Sequence, residues 1–156
     1  MPSAVRSSDR VLNELIADGY RRSQSFGHLV DGIADTNTLV YVEAGVCTFG
    51  HLKACLLPFI ATTGQVRYLR IGLTRPLNLG DRNRLIALIG HELQHALEVA
   101  ARPDVIDLKS MIELYRRIGF PLKGQPGYET SAARAAGDSV LDELTKKVAT
   151  SQPARR

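Results

Sequence analysis

An α+β fold in a single domain is what this sequence predicts, and three observations predict it. Strand-like runs cluster between residues 38 and 74, helical periodicity flanks them on both sides, and the apolar period changes from 2 to 3.6 at Asp81. Helices, then a small sheet, then helices is an α+β order rather than an alternating one. A chain of 156 residues is long enough for one core and short for two. No internal repeat or linker interrupts it, so one domain is expected over residues 1–150, followed by a frayed, disordered tail over 151–156.

The first helix is expected within "SSDRVLNELIADGYRRS", capped near Ser8 or Asp9. Val11, Leu12, Leu15 and Ile16 form its apolar stripe, and Gly19 marks its end. "SFGHLVDGIADTN" reads as a second, short helix. Three strands follow, expected to form a small, mostly antiparallel sheet. "TLVYVEAG" is rich in β-branched residues, and "ACLLPFIA" is apolar throughout, although Pro58 confines it to an edge or a bulge. "VRYLRIGLT" alternates, with Leu69, Ile71 and Leu73 on one face and Tyr68 and Arg70 on the other. "TTGQ" between the last two suits a hairpin turn. Asp81 caps a helix running to about Ala101, where Pro103 stops it. "DLKSMIELYRRIG" carries Leu108, Met111, Ile112, Tyr115 and Ile118 on one face, "FPLKGQPG" is a loop, and "YETSAARAAGDSVLDELTKKVA" is a last long helix.

Composition narrows the function classes. Hydrophobic residues at 44% with charged residues at 23% describe a folded domain rather than a disordered chain. The net charge of +4 is scattered over "YRRS", "YRRIG", "TKK" and "ARR", without the basic face or stacking aromatics of a nucleic-acid binder. No apolar run approaches the ~18 residues of a membrane span. "MPSAVRSSDR" lacks the apolar stretch of an export signal, but a signal already removed would look the same.

The chemistry lies in "IGHELQHALE". Residues four apart share one face of a helix, so His91 and His95 can aim two imidazoles at a common point, as a tetrahedral zinc requires. Glu92 projects about 100° around the axis, beside the metal rather than onto it. From there its carboxylate can take a proton from water that the metal has made more acidic. HExxH is tied to this combination of two ligands and a general base. Ile86, Ile89, Leu93, Leu97 and Ala100 are expected to form the buried opposite face.

On His91, Glu92 and His95, preceded by a small sheet and followed by a glutamate-bearing helix, the chain resembles the zincin metallopeptidases. Within them it is similar to the gluzincins, and its length resembles their smallest members, the minigluzincins. The resemblance spans residues 38 to 145 as architecture; only the HELQH residues match a tight motif. It implies one zinc ion per chain, a third ligand glutamate on a later helix, and a peptide or protein substrate. The substrate would pair with an edge strand of the sheet, for which "TLVYVEAG" and "VRYLRIGLT" are both candidates.

Three glutamates compete for the third position. Glu98 lies on the face of His95, but three turns of straight helix spread side chains over ~10 Å, awkward for one small ion. It suits a group that holds His95 or an arginine, or else an exposed helix glutamate. Glu113 stands close to the gluzincin interval but projects away from the apolar face of its helix. Glu129 is read on the first turn of the last helix, pointing inward with Ala133, Ala136, Val140 and Leu144. Ala132, Ala133 and Ala136 would let that helix approach the HELQH helix, and Pro126 and Gly127 position the chain before it. "ETSAAR" lacks the aspartate of the gluzincin ExxxD pattern, so capping by Glu129 is the alternative.

Tyr128, and after it Tyr115, are candidates to donate a hydrogen bond to an oxyanion, against the more ordinary role of a core or surface tyrosine for each. His28 and His51 read as ordinary polar residues. Cys47, His51 and Cys55 are spaced by four, but three ligands complete no structural metal site. A Cys47–Cys55 disulfide is the alternative to two reduced thiols. It would point to a periplasmic or secreted protein, and its absence to a cytoplasmic one. The functional expectation is a zinc-dependent peptidase with His91, His95 and Glu129 as ligands and Glu92 as base. Its rival is a non-proteolytic metal-binding or partner-binding domain on the same fold.

Overall fold

The computed structural model describes residues 4–45, 47 and 52–150, the last four of these by backbone alone. His51 and the tail over 151–156 lie outside the described residues. Among these, five helices and a mixed sheet make an α+β fold.

A two-residue strand β1 (Val5–Arg6) leads into α1 (Arg10–Arg22) and α2 (Gln24–Ala34). Asp9 caps α1 by accepting from the amides of Val11 and Leu12. The helix does not end at Gly19 but runs a further turn to Arg22, and Ser23 both closes α1 and caps α2. Gly19 serves close packing instead. A Cβ there would lie 2.8 Å from Ile86 Cγ2 and 3.0 Å from the Phe26 ring, where α1, α2 and the HELQH helix converge.

The sheet that follows corrects the expectation of three mostly antiparallel strands. β2 (Thr38–Ala44) and β5 (Val66–Leu73) pair in parallel along their whole length, and β1 adds to β2 in parallel. The apolar run 54–61 is split by Pro58 into β3 (Ala54–Leu56) and β4 (Ala61–Thr63), both antiparallel to β5. Proline has no amide to give the ladder, so the break falls there. Gly64, at φ 61°, makes the β4–β5 turn. The chain leaves β2, reverses through β3 and β4, and returns as β5 between β2 and β3. A strand's apolar pattern is the same in either arrangement, so it could not reveal which neighbour the strand would take. Neither long strand is an outer edge near the HELQH helix; that edge is β3.

One face of the sheet, with Val40, Val42, Leu69 and Ile71 fully buried, packs on the helices. The other face carries Tyr41 and Tyr68, stacked with centroids 6.3 Å apart, and the Glu43–Arg70 ion pair. After β5 come α3 (Arg82–Ala100), α4 (Leu108–Ile118) and α5 (Ser131–Thr150). The expected loop before α5 contains a small bridge, β6 (Phe120–Pro121) with β7 (Tyr128–Glu129). On α4 the buried residues are Met111, Leu114 and Tyr115, whereas Leu108 and Ile118 are exposed. The apolar stripe is real, but half of it borders a cleft. Among the described residues no helix is long and apolar enough to cross a membrane.

Asp18, buried on α1, ties that helix to the start of α3. It accepts from Arg21, from Arg22 at 2.9 Å and from Arg82 at 3.1 Å. Burial works to raise its pKa, but the hydrogen bonds from Arg22, Arg82 and Arg21 outweigh this and hold it below the ordinary 3.8. A depressed folded value means stability present above the unfolded pKa and lost as pH falls through the folded one. Asp18→Asn should therefore destabilise the protein by about 1–2 kcal/mol at pH 7, given its partly exposed arginines. The difference from wild type, read by urea unfolding, should shrink as pH falls below about 3.8. A gap independent of pH would mean that packing, not charge, sets the effect.

Candidate metal centre

α3 carries the HELQH residues as one unbroken helix capped by Asp81. Leu85, Ile86, Ile89, Leu93, Ala96 and Val99 bury its inner side. The helix is enclosed on most sides, so Glu92 and His95 are also buried, at 7% and 6% exposure, facing a cavity rather than solvent. Two glycines allow α5 to lie against it. A Cβ on Gly90 would meet Val140 Cγ2 at 3.0 Å, and one on Gly137 would meet His91 Cβ at 3.3 Å. The close approach is thus made by glycines rather than by Ala132, which is exposed.

Glu129 reaches the histidines from β7, two residues before α5, and not from the first turn of that helix. Gly127, at φ 114°, turns the chain into β7. Gly119 at the end of α4 permits the approach, since a Cβ there would sit 2.6 Å from the Glu129 carbonyl oxygen. Glu129 Oε1 lies 3.1 Å from both His91 Nε2 and His95 Nε2. The three ligand atoms fall within 4.8 Å of one another, and the group could hold a metal ion. Two donors at ordinary zinc distances in a tetrahedron stand ~3.3 Å apart, so the observed spacing fits such an ion with little movement. Two imidazoles and a carboxylate with a side open to a cavity leave room for a further, non-protein ligand on such an ion.

Each of the other candidates has a definite place. Glu98 is not in the cluster; its Oε2 pairs with His95 Nδ1 at 3.1 Å. Glu113 is exposed. Tyr115 donates its hydroxyl to the His95 carbonyl at 3.0 Å, so that proton is committed. Tyr128 stacks on Tyr115 and lines the cavity beside Glu129. His28 is exposed on α2. Cys47 and Cys55 are joined in a disulfide that links the segment after β2 to β3, with Cα atoms 5.8 Å apart. Thr130, Arg67, Gly119, Gly90 and Gly137 were not singled out by the sequence, because each acts through partners far along the chain.

Burial works to lower the His95 pKa, but its hydrogen bonds to Glu129 and Glu98 outweigh this and raise it to about 10. Burial likewise works to raise Glu129, and the hydrogen bonds from His91 and His95 hold it well below the ordinary carboxylate range. Both shifts arise from histidine protons shared with Glu129, which a metal ion would have to displace because it binds neutral imidazole. Burial pushes Glu92 up, against the pull of both histidines and of the Leu56 amide on β3. The cavity has a volume of about 290 Å³, floored by His91, Glu92, His95 and Glu129. Its walls are apolar, from Leu56 on β3, Leu108, Met111 and Ile112 on α4, and Leu122 beyond β6.

No family model, no curated protein and no solved structure matches this chain.

Proposed function

We propose that the chain is a zinc-dependent peptidase of the zincin type, hydrolysing peptide bonds with His91, His95 and Glu129 as metal ligands and Glu92 as general base. The observation that carries this reading is the convergence of His91 Nε2, His95 Nε2 and Glu129 Oε1 on the floor of an apolar cavity that Glu92 also lines. A bound zinc would supply Lewis acidity, polarising an amide carbonyl and lowering the pKa of water toward ~7.

The protein's own groups account for the rest. Glu92 takes the proton from the attacking water and can return it to the leaving amine nitrogen. Its buried carboxylate accepts a proton more readily than a surface glutamate does. The apolar walls exclude bulk water and suit a large apolar side chain of the substrate. β3 ends the sheet beside the cavity, so its outer backbone groups, other than the Leu56 amide that reaches Glu92, can pair with an extended peptide.

Metal analysis of the purified protein, together with hydrolysis of a broad peptide library, tests this reading. About one zinc per chain is expected, absent from a His91→Ala, His95→Ala double variant. Glu129→Ala should weaken binding far more than Glu98→Ala, whose loss should cost ~10- to 100-fold at most. Full zinc retention in the double variant would remove the metal centre. A fully loaded protein that cleaves no peptide would favour the non-proteolytic metal-binding domain.

A further inference from the structure

We propose that Thr130 is a positioning residue that sets the metal affinity of the site, by locking the outer partner of one ligand to the carboxylate of another. The inference rests on His91, His95 and Glu129 holding a metal ion, and not on the chain being a peptidase.

Thr130 lies between β7 and α5 and is 2% exposed. Its Oγ1 donates to Glu98 Oε1 at 2.6 Å and accepts from the Ala133 amide at 3.1 Å. Its own amide donates to Glu129 Oε1 at 3.0 Å. Glu98 Oε2 pairs with His95 Nδ1, and His95 Nε2 faces Glu129 Oε1, each at 3.1 Å. The contacts close a buried ring that runs Thr130, Glu98, His95, Glu129 and back to Thr130.

The chemistry of each member leaves one arrangement. The Ala133 amide can only donate, so it takes a lone pair of the hydroxyl. A carboxylate can only accept, so the hydroxyl's single proton goes to Glu98. That hydrogen bond is charge-assisted and fixes the Glu98 carboxylate. Glu98 takes the Nδ1 proton of His95, so that when a metal takes the place of the Nε2–Glu129 hydrogen bond, Nε2 is the atom that presents a lone pair to it. The same residue's amide restrains Glu129 Oε1. Helix capping alone requires only the Ala133 contact; the other two aim at the ligand cluster.

Zinc affinity of the full chain, measured by chelator competition, and the visible spectrum of the cobalt-loaded protein test this. Thr130→Val keeps the volume and loses the hydroxyl, and should weaken zinc binding ~10- to 100-fold and alter the cobalt bands. Thr130→Ser restores the hydroxyl and should bind within a few-fold of wild type. Asp9→Ala removes a cap from α1, far from the site, and should lower the melting temperature with zinc affinity unchanged. Wild-type affinity and cobalt bands in Thr130→Val would overturn the inference, as would equal loss of affinity in Asp9→Ala. A wild type that binds no metal would overturn it together with the proposed function. A wild type that binds zinc but cleaves no peptide would overturn the peptidase reading alone.

Discussion

Glu92→Gln should reduce peptide hydrolysis ~10²- to 10⁴-fold, the usual contribution of general acid–base catalysis, while zinc content and melting temperature stay near wild type. Glutamine keeps the length and much of the hydrogen-bonding reach of glutamate, but its amide cannot take a proton from water. The rate loss corresponds to about 3–5 kcal/mol in the barrier. Stability should hold because Glu92 is buried and lies outside the ligand cluster. Burial already disfavours its charged form, so a neutral side chain at this place removes a desolvation cost as well as an interaction. His91→Ala and His95→Ala should behave differently, losing metal, stability and activity together, since binding and folding are coupled at such centres. Full kinetic analysis of metal-loaded Glu92→Gln, with zinc measured on the same sample, separates the two patterns. Retention of most of a genuine peptidase activity would move water activation to another group.

How much of this centre was legible in the sequence depended on the range of the interaction. His91 and His95 share a face because they are four apart on one helix, and nothing distant is needed to see it. The pairing of Glu98 with His95 is likewise a three-residue relation on that helix. Glu129 could be singled out by its inward register with Ala133 and Val140, yet it stands in β7 rather than on α5. Its true support comes from the Gly127 turn, the pairing of Phe120 with Glu129 and the close approach at Gly119. Those are tertiary relations with no periodic signal. The same limit explains the sheet. β-branched residues marked β2 and apolar alternation marked β5 as strands, but their parallel pairing depends on where β3 and β4 pack. Gly19 read as a helix end by local propensity, whereas it lies within a helix that meets its neighbours closely. On α4 the shared apolar face was legible from its period, but not that Leu108 and Ile112 on it border the cavity.

Arg67→Met should destabilise the protein by about 3–5 kcal/mol, a large share of the ~5–15 kcal/mol that holds a typical domain together. Arg67 stands on β5 and is 7% exposed, and its guanidinium reaches across to the end of α3. One nitrogen shares its two hydrogens among the carbonyls of Val99, Arg102 and Val105 at 3.1, 2.8 and 2.7 Å. The other donates to the Ala100 carbonyl at 2.7 Å and to Thr38 Oγ1 at 3.4 Å. The last carbonyls of a helix have no partner within it and carry its negative end, so a buried cation is well placed there. The amides of Arg102 and Val105 also reach the carbonyls of Val99 and Arg102. Among the described residues, the carbonyls of Ala100 and Val105 depend on Arg67. Methionine fills similar volume but leaves both buried and unsatisfied, at ~1–3 kcal/mol each, with further loss from the shared pair. Lysine should recover part of the stability, because a point charge with three donors cannot reach the spread of acceptors that a planar fork does. Urea unfolding of wild type, Arg67→Met and Arg67→Lys should therefore rank in the order wild type, lysine, methionine. A methionine variant within 1 kcal/mol of wild type would show that water satisfies the end of α3, and that the arginine is not what docks the HELQH helix on the sheet.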